Sequence, residues 1–210
     1  MQPVVIKLSG QVVDHPQCDA WLDAIMARGN CVVVPGGGAY ADAVRSAQKL
    51  KNFSDAVAHR LALYAMTQTA RDLVARCPLL KECFSLSAVN QTLHRQQTPI
   101  WSPSDLLEGH ADIEESWNIS SDSLALWCAA QLGASECLLV KAGGLPAGHL
   151  DADAWSEAGF LDAAFPRMAR ATSMPWQAVT LGSDPTRVVG SDPKVQARFK
   201  IQSISALSPA

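Results

Sequence analysis

Residues 4–38 read VVIKLSGQVVDHPQCDAWLDAIMARGNCVVVPGGG, and the fold turns on them. Val4-Val5-Ile6-Lys7-Leu8 is a strand-like run that ends in the turn Ser9-Gly10. Pro16 suits a first helical position, and Cys18, Trp21, Leu22, Ile25 and Met26 then recur at helical spacing. Arg28-Gly29-Asn30 closes that helix with a cation and two residues that tolerate the left-handed region. Cys31-Val32-Val33-Val34 is a short continuous apolar run, as expected of a strand buried on both faces, and it ends in Pro35-Gly36-Gly37-Gly38. A strand, helix, strand, glycine turn and further helix in this order predict a parallel sheet with right-handed crossovers.

Working outward, a long helical stretch runs towards Arg76 with a break near Asn52-Phe53. Residues 78–117 are less regular. Cys83-Phe84-Ser85-Leu86 and Pro99-Ile100-Trp101 are read as short strands, and Asp105-Leu106-Leu107 as a turn or helix start. Ser120-Ser121-Asp122 is an N-cap cluster ahead of Leu124, Leu126, Trp127, Ala130 and Leu132, and Gly133 stops that helix. Cys137-Leu138-Leu139-Val140-Lys141 is another buried strand, followed by Ala142-Gly143-Gly144. A helix near 163–172, a strand over 176–181 and a short helix opened by Asp184-Pro185 complete the pattern. No linker tract or internal repeat interrupts it. The expectation is one α/β domain over 1–210, a three-layer αβα sandwich with a mainly parallel central sheet.

The 210 residues are 48% hydrophobic, enough for a sizeable core. Seventeen basic against twenty acidic side chains give a net charge of −3, which argues against a nucleic-acid-coating protein. No apolar run reaches the roughly 20 residues of a membrane helix. The start of the chain shows no basic n-region or signal-peptide core, so a cytoplasmic protein is expected. Six dispersed cysteines form no Cys-x-x-Cys pair, and three of them (Cys31, Cys128, Cys137) sit in apolar runs, as buried free thiols do. The five histidines are equally scattered, and no metal site is predicted.

Chemistry concentrates where glycine turns follow strands. Ser9-Gly10, Gly36-Gly37-Gly38 and Gly143-Gly144 all fall at the C-terminal edge of the expected sheet, where open α/β sheets bind ligands. Glycine allows close backbone approach, and exposed N–H groups cradle phosphate oxygens. Lys7 lies inside an apolar strand and Lys141 ends one; a lysine so placed is costly unless it meets an anion. Asp122 has two readings, a helix cap or a carboxylate that organises lysine ammonium groups beside transferring phosphates. There is no Gly-Lys-Ser or Gly-Lys-Thr of a P-loop. Gly36-Gly37-Gly38-Ala39-Tyr40-Ala41 formally satisfies a dinucleotide fingerprint, with Asp55 as a ribose partner, but that reading leaves Lys7 unexplained.

Lys7-Leu8-Ser9-Gly10, Val32-Val33-Val34-Pro35-Gly36-Gly37-Gly38 and Ser120-Ser121-Asp122-Ser123-Leu124-Ala125 resemble the ordered landmarks of the amino acid kinase family. The resemblance implies ATP and Mg²⁺, a small phosphorylated acceptor and a homo-oligomer. It assigns nucleotide binding to Lys7, Ser9, Gly10, Ser121, Asp122, Lys141, Gly143 and Gly144, with Lys7 and Asp122 catalytic. It gives the acceptor to Gly36, Gly37, Gly38 and His59. The run Ala58-His59-Arg60-Leu61-Ala62-Leu63-Tyr64-Ala65-Met66-Thr67-Gln68 looks most like the small branch acting on aminomethylfuranmethanol phosphate, a methanofuran precursor. Two departures stand out. The Asp-x-x-Gly nucleotide loop of many members is replaced by Ala142-Gly143-Gly144, and Lys194 and Lys200 lie in poorly matching surroundings for a C-terminal catalytic lysine. A phosphotransferase is the leading expectation; a non-catalytic nucleotide- or oxyanion-binding protein and a dinucleotide-dependent oxidoreductase are the alternatives.

Overall fold

β1 (Val4–Leu8) runs between β2 (Cys31–Pro35) on one side and β5 (Glu136–Lys141) on the other, parallel to both. The computed structural model describes residues 2–146 and 151–190, so Lys194 and Lys200 lie outside the described residues. Beyond β2 come β4 (Thr98–Trp101) and β3 (Leu80–Cys83), and beyond β5 comes β6 (Trp176–Thr180). The order is therefore β3-β4-β2-β1-β5-β6, all parallel. The chain first winds away from β1 through β2 and later returns to its other side at β5. Such a reversal opens a crevice at the C-terminal ends of the strands, beside β1.

The crossovers are helical: α1 (Cys18–Arg28), α2 (Gly38–Lys51), α3 (Asp55–Arg76), α4 (Leu86–His94), α5 (Ser121–Gln131), α6 (Ala152–Glu157) and α7 (Phe165–Thr172); α8 (Pro185–Val189) follows β6. Alternate strand residues face opposite layers. Val5, Val34 and Leu139 pack with Leu124 and Cys128 of α5, while Ile6, Leu8, Val33 and Leu138 pack with Trp21, Leu22 and Ile25 of α1. Lys7 has the parity of Val5, which turns it towards the α5 layer. Its register partners are Val34 and Leu139, so it sits one residue before the end of β1, at the crevice.

Three details differ from the sequence reading. Residues 84–86 are not strand: the Ser85 hydroxyl accepts from the Ala88 N–H at 3.2 Å and caps α4. α6 was not foreseen; Asp151 caps it by accepting from the N–H groups of Asp153 and Ala154. α1 begins at Cys18, beyond Pro16, because His15 Nδ1 takes the Gln17 N–H at 3.2 Å and holds residues 15–17 in a turn. All six cysteines are free, and five are buried. Among the described residues no helix is long and apolar enough to cross a membrane.

Candidate active site

The first two glycine turns interlock. A Cβ on Gly10 would stand 2.0 Å from the backbone nitrogen of Gly38 and 2.7 Å from the carbonyl oxygen of Gly36. No side chain fits there, and Gly38 opens α2 at φ +51°, a conformation that favours glycine. The turns are pinned to the sheet: Gly36 N–H donates to Leu8 at 2.8 Å, and Ser9 N–H donates to Val140 at 2.9 Å. Ser9 Oγ accepts from Gln11 N–H, so residues 10–14 form a 3₁₀ turn. Gly37 has ordinary helical angles, and its added Cβ would meet Ala41 Cβ at 2.6 Å and Ala65 Cβ at 3.3 Å. Its small size thus serves the packing of α2 on α3 as well as access to the turn.

Beneath the turns lies a three-residue ionic centre. Asp122, on the first turn of α5, is 3% exposed and Lys7 is 5% exposed. Lys7 Nζ lies 2.9 Å from Asp122 Oδ1, an ion contact with no hydrogen bond to that oxygen besides it. Lys141 Nζ donates to Oδ2 at 2.5 Å and sits 4.8 Å from the centroid of the Phe160 ring. Burial alone would push the Asp122 carboxyl up; the two ammonium groups outweigh it and hold the carboxyl below the usual carboxylate range. Burial, reinforced by the Lys7 charge, draws the Lys141 ammonium down, with Asp122 opposing. The cap is Ser120, whose Oγ accepts from the Asp122 N–H at 3.5 Å. Both carboxylate oxygens of Asp122 therefore face lysines, and the cap reading passes to its neighbour.

A cleft of about 200 Å³ opens above this centre, lined by Lys7, Ser9, Gly10, Gly36, Gly37, Gly38 and Ser121 on the turn side. Its other wall is His59, Ala62, Leu63 and Met66 of α3 with Trp117 and Ile119 of the approach to α5. Arg45 stacks 4.5 Å from the Trp117 ring centroid and pairs with Asp42 at 2.7 Å, and both line the mouth. Gly143 and Gly144 stand apart, exposed and with open space around them. Asp55 is not at a strand end; it accepts from Gln48 at the start of α3 and does not line the cleft, so the dinucleotide fingerprint lacks its ribose partner. The sequence carried no signal for Arg45 or Trp117, whose pairing is made only by the fold.

The model of the amino acid kinase family matches residues 2–143, two thirds of the chain. This chain belongs to the amino acid kinase family. It is similar to the (5-(aminomethyl)furan-3-yl)methyl phosphate kinase of Methanocaldococcus jannaschii, 31% identical over 108 residues, which cover 51% of this chain and 50% of that protein. The match thus spans about half the length of that curated relative. Among solved structures, the uridylate kinase of Archaeoglobus fulgidus superposes with a TM-score of 0.64 at 13% identity, covering 93% of this chain and 96% of that one. The UMP kinase of Bacillus anthracis gives 0.62 at 13% identity, covering 96% and 92%. At such identity these two establish the shared fold.

In this amino acid kinase-type domain a second carboxylate holds α5 in place, and sequence reasoning missed it. Asp162, between α6 and α7, accepts from Ser120 N–H (2.8 Å), Ser120 Oγ (2.8 Å) and Ser123 N–H (3.0 Å) through Oδ2. Its Oδ1 accepts from the Ser123 hydroxyl and from Phe165 N–H at 3.0 Å. Burial, then the Asp122 charge, raises its carboxyl above the usual value, against the opposing bonds from Ser123 and Ser120. One half-buried carboxylate thereby ties the start of α5 to the start of α7.

Proposed function

We propose that the chain is an ATP-dependent phosphotransferase acting on a small phosphorylated acceptor, one kinase domain over residues 1–210. The observation that carries this is Lys7 and Lys141 meeting on Asp122 directly beneath the interlocked glycine turns. Phosphoryl transfer requires positioning and charge neutralisation more than covalent help from the protein. Lys7 and Lys141 turn towards the β- and γ-phosphates, and Asp122 keeps both ammonium groups charged and aimed. The turn of Gly36, Gly37 and Gly38 with the α3 wall at His59 receives the acceptor, and Ser9, Gly10 and Ser121 form the nucleotide side; Gly143 and Gly144, which stand outside the cleft, are given to the nucleotide by the family resemblance. Both oxygens of Asp122 face lysines, so Mg²⁺ would enter with the nucleotide and would supply further neutralisation of phosphate charge. An acceptor phosphate is its own nucleophile, so no general base is needed.

The acceptor is a phosphate monoester of the kind named for the Methanocaldococcus jannaschii relative, and the reaction belongs to the biosynthesis of a methanofuran-type one-carbon carrier, as the family resemblance implies. The enzyme acts in the cytoplasm as a homo-oligomer. The test is ADP release from MgATP with a panel of small phosphate monoesters. Lys7→Ala is expected to lower kcat by about 100-fold or more, while Lys141 still neutralises Asp122 and a cooperative melt persists. Nucleotide binding with no ADP release for any acceptor would instead favour the non-catalytic binding protein. Near-normal turnover in Lys7→Ala would remove that lysine from the phosphates.

A further inference from the structure

His59, Leu63 and Met66 follow one another at one-turn spacing on α3 and line the same wall of the cleft. The His59 ring is 3% exposed. Its Nδ1 lies 3.1 Å from the carbonyl oxygen of Ser116. A carbonyl only accepts, so Nδ1 carries the proton, and in the neutral ring Nε2 is a bare lone pair. That nitrogen is buried and has no hydrogen-bond partner in the protein. Buried polar atoms are almost always satisfied, and one left open on the wall of a cleft points to a ligand as its partner.

The direction of that missing bond decides what the ligand carries. The cleft already offers cations to anionic groups, Lys7 at its floor and Arg45 at its mouth. A lone pair on a wall that it shares with Leu63, Met66 and Ile119 repels a phosphate oxygen and takes an N–H or O–H. We propose that His59, through Nε2, selects phosphorylated acceptors whose apolar body bears an ammonium or hydroxyl donor remote from the phosphate. This rests on the phosphotransferase reading of the same cleft. The phosphate lies towards Lys7, the apolar body lies along Leu63 and Met66, and the donor reaches His59. Such a wall discriminates sharply, because an analogue without the donor leaves a desolvated lone pair unpaired.

The experiment compares 4-aminobutyl phosphate and 4-hydroxybutyl phosphate with their near-isostere pentyl phosphate, by calorimetric binding and by ADP release from MgATP. The wild-type chain is expected to bind one or both donor-bearing probes at least about tenfold more tightly than pentyl phosphate. His59→Phe keeps a ring and removes the lone pair; it is expected to abolish that preference, so that the three probes bind alike. Should His59→Phe fail to fold, His59→Gln keeps an accepting oxygen and is expected to retain part of the preference. Equal binding of all three probes to the wild type, no measurable binding of any, or a preference that survives in His59→Phe overturns the proposal. A His59-dependent binding preference without ADP release sinks the kinase reading and leaves this inference standing. Equal kcat/KM for all three probes does the reverse.

Discussion

Asp122 is one residue whose chemistry would be misjudged from its position alone. At the first turn of a helix it suits the macrodipole, yet its side chain satisfies no helix N–H and instead separates two buried ammonium groups. Asp122→Asn leaves Lys7 and Lys141 facing each other across a neutral amide. Removing one partner from a buried ionic group costs about 3–5 kcal/mol, so the variant is expected to melt well below the wild type and to lose about 100-fold or more in turnover. Added ATP is expected to raise its melting temperature more than that of the wild type, because phosphate oxygens replace the missing anion. The carboxyl is held below its unfolded value near 4, so its contribution is complete above that value. It is lost only as pH falls through the lower folded value. The stability gap between the two proteins is therefore expected to stay flat from about pH 8 to pH 5 and to close below about pH 4. An unchanged melt with turnover within a few-fold of wild type would return Asp122 to a structural role.

At the scale of elements, the two glycine turns act as one object. Gly10→Ala would press a methyl group against the backbone of Gly38, which has no rotamer to offer in relief. The substitution is expected to cost at least the ~1–3 kcal/mol of an overpacked core. Gly144→Ala, in open space, is expected to change stability by no more than about 0.5 kcal/mol. Urea unfolding of the two variants side by side checks this, and equal costs would mean that the interlock is not what fixes the turns. The unit from β1 to α2 was legible because each element has a local signature: a continuous apolar run, helical spacing, a capping glycine. Lys7 was legible for the same reason, as one charge in a run of buried positions. Residues 78–117 were not, since β3 has only its end residues Leu80 and Cys83 buried at a sheet edge, and the start of α4 falls inside an apolar run that imitates a strand. Capping chemistry at Ser85 overrode that pattern. Arg45 on Trp117 and Asp162 on Ser120 and Ser123 join residues far apart in sequence, and nothing local marks them.

Across the whole molecule, the site depends on a carboxylate that never faces the cleft. Asp162 reaches back 42 residues to Ser120 and 39 to Ser123, so the loop between α6 and α7 determines where the first turn of α5 lies. That turn places Asp122, and Asp122 aims lysines from β1 and β5. In Asp162→Asn one side-chain atom can no longer accept, and buried donors of Ser120, Ser123 or Phe165 lose their partner at about 1–3 kcal/mol each. Turnover is expected to fall although no atom of Asp162 lines the cleft, with KM for ATP and kcat both affected as α5 shifts. The pH dependence distinguishes this from a generic packing defect. The Asp162 carboxyl is raised in the fold, so the folded state binds that proton more tightly than the unfolded state does. Its contribution is greatest below the unfolded value near 4 and declines as pH rises through the higher folded value. Asparagine has no such dependence. The stability difference between wild type and Asp162→Asn is therefore expected to narrow with rising pH from about 4 upwards, opposite in sign to the Asp122 series. Melting curves of both variants across that range test the arrangement; parallel curves for Asp122→Asn and Asp162→Asn would show that the two carboxylates do not hold the separate duties assigned to them.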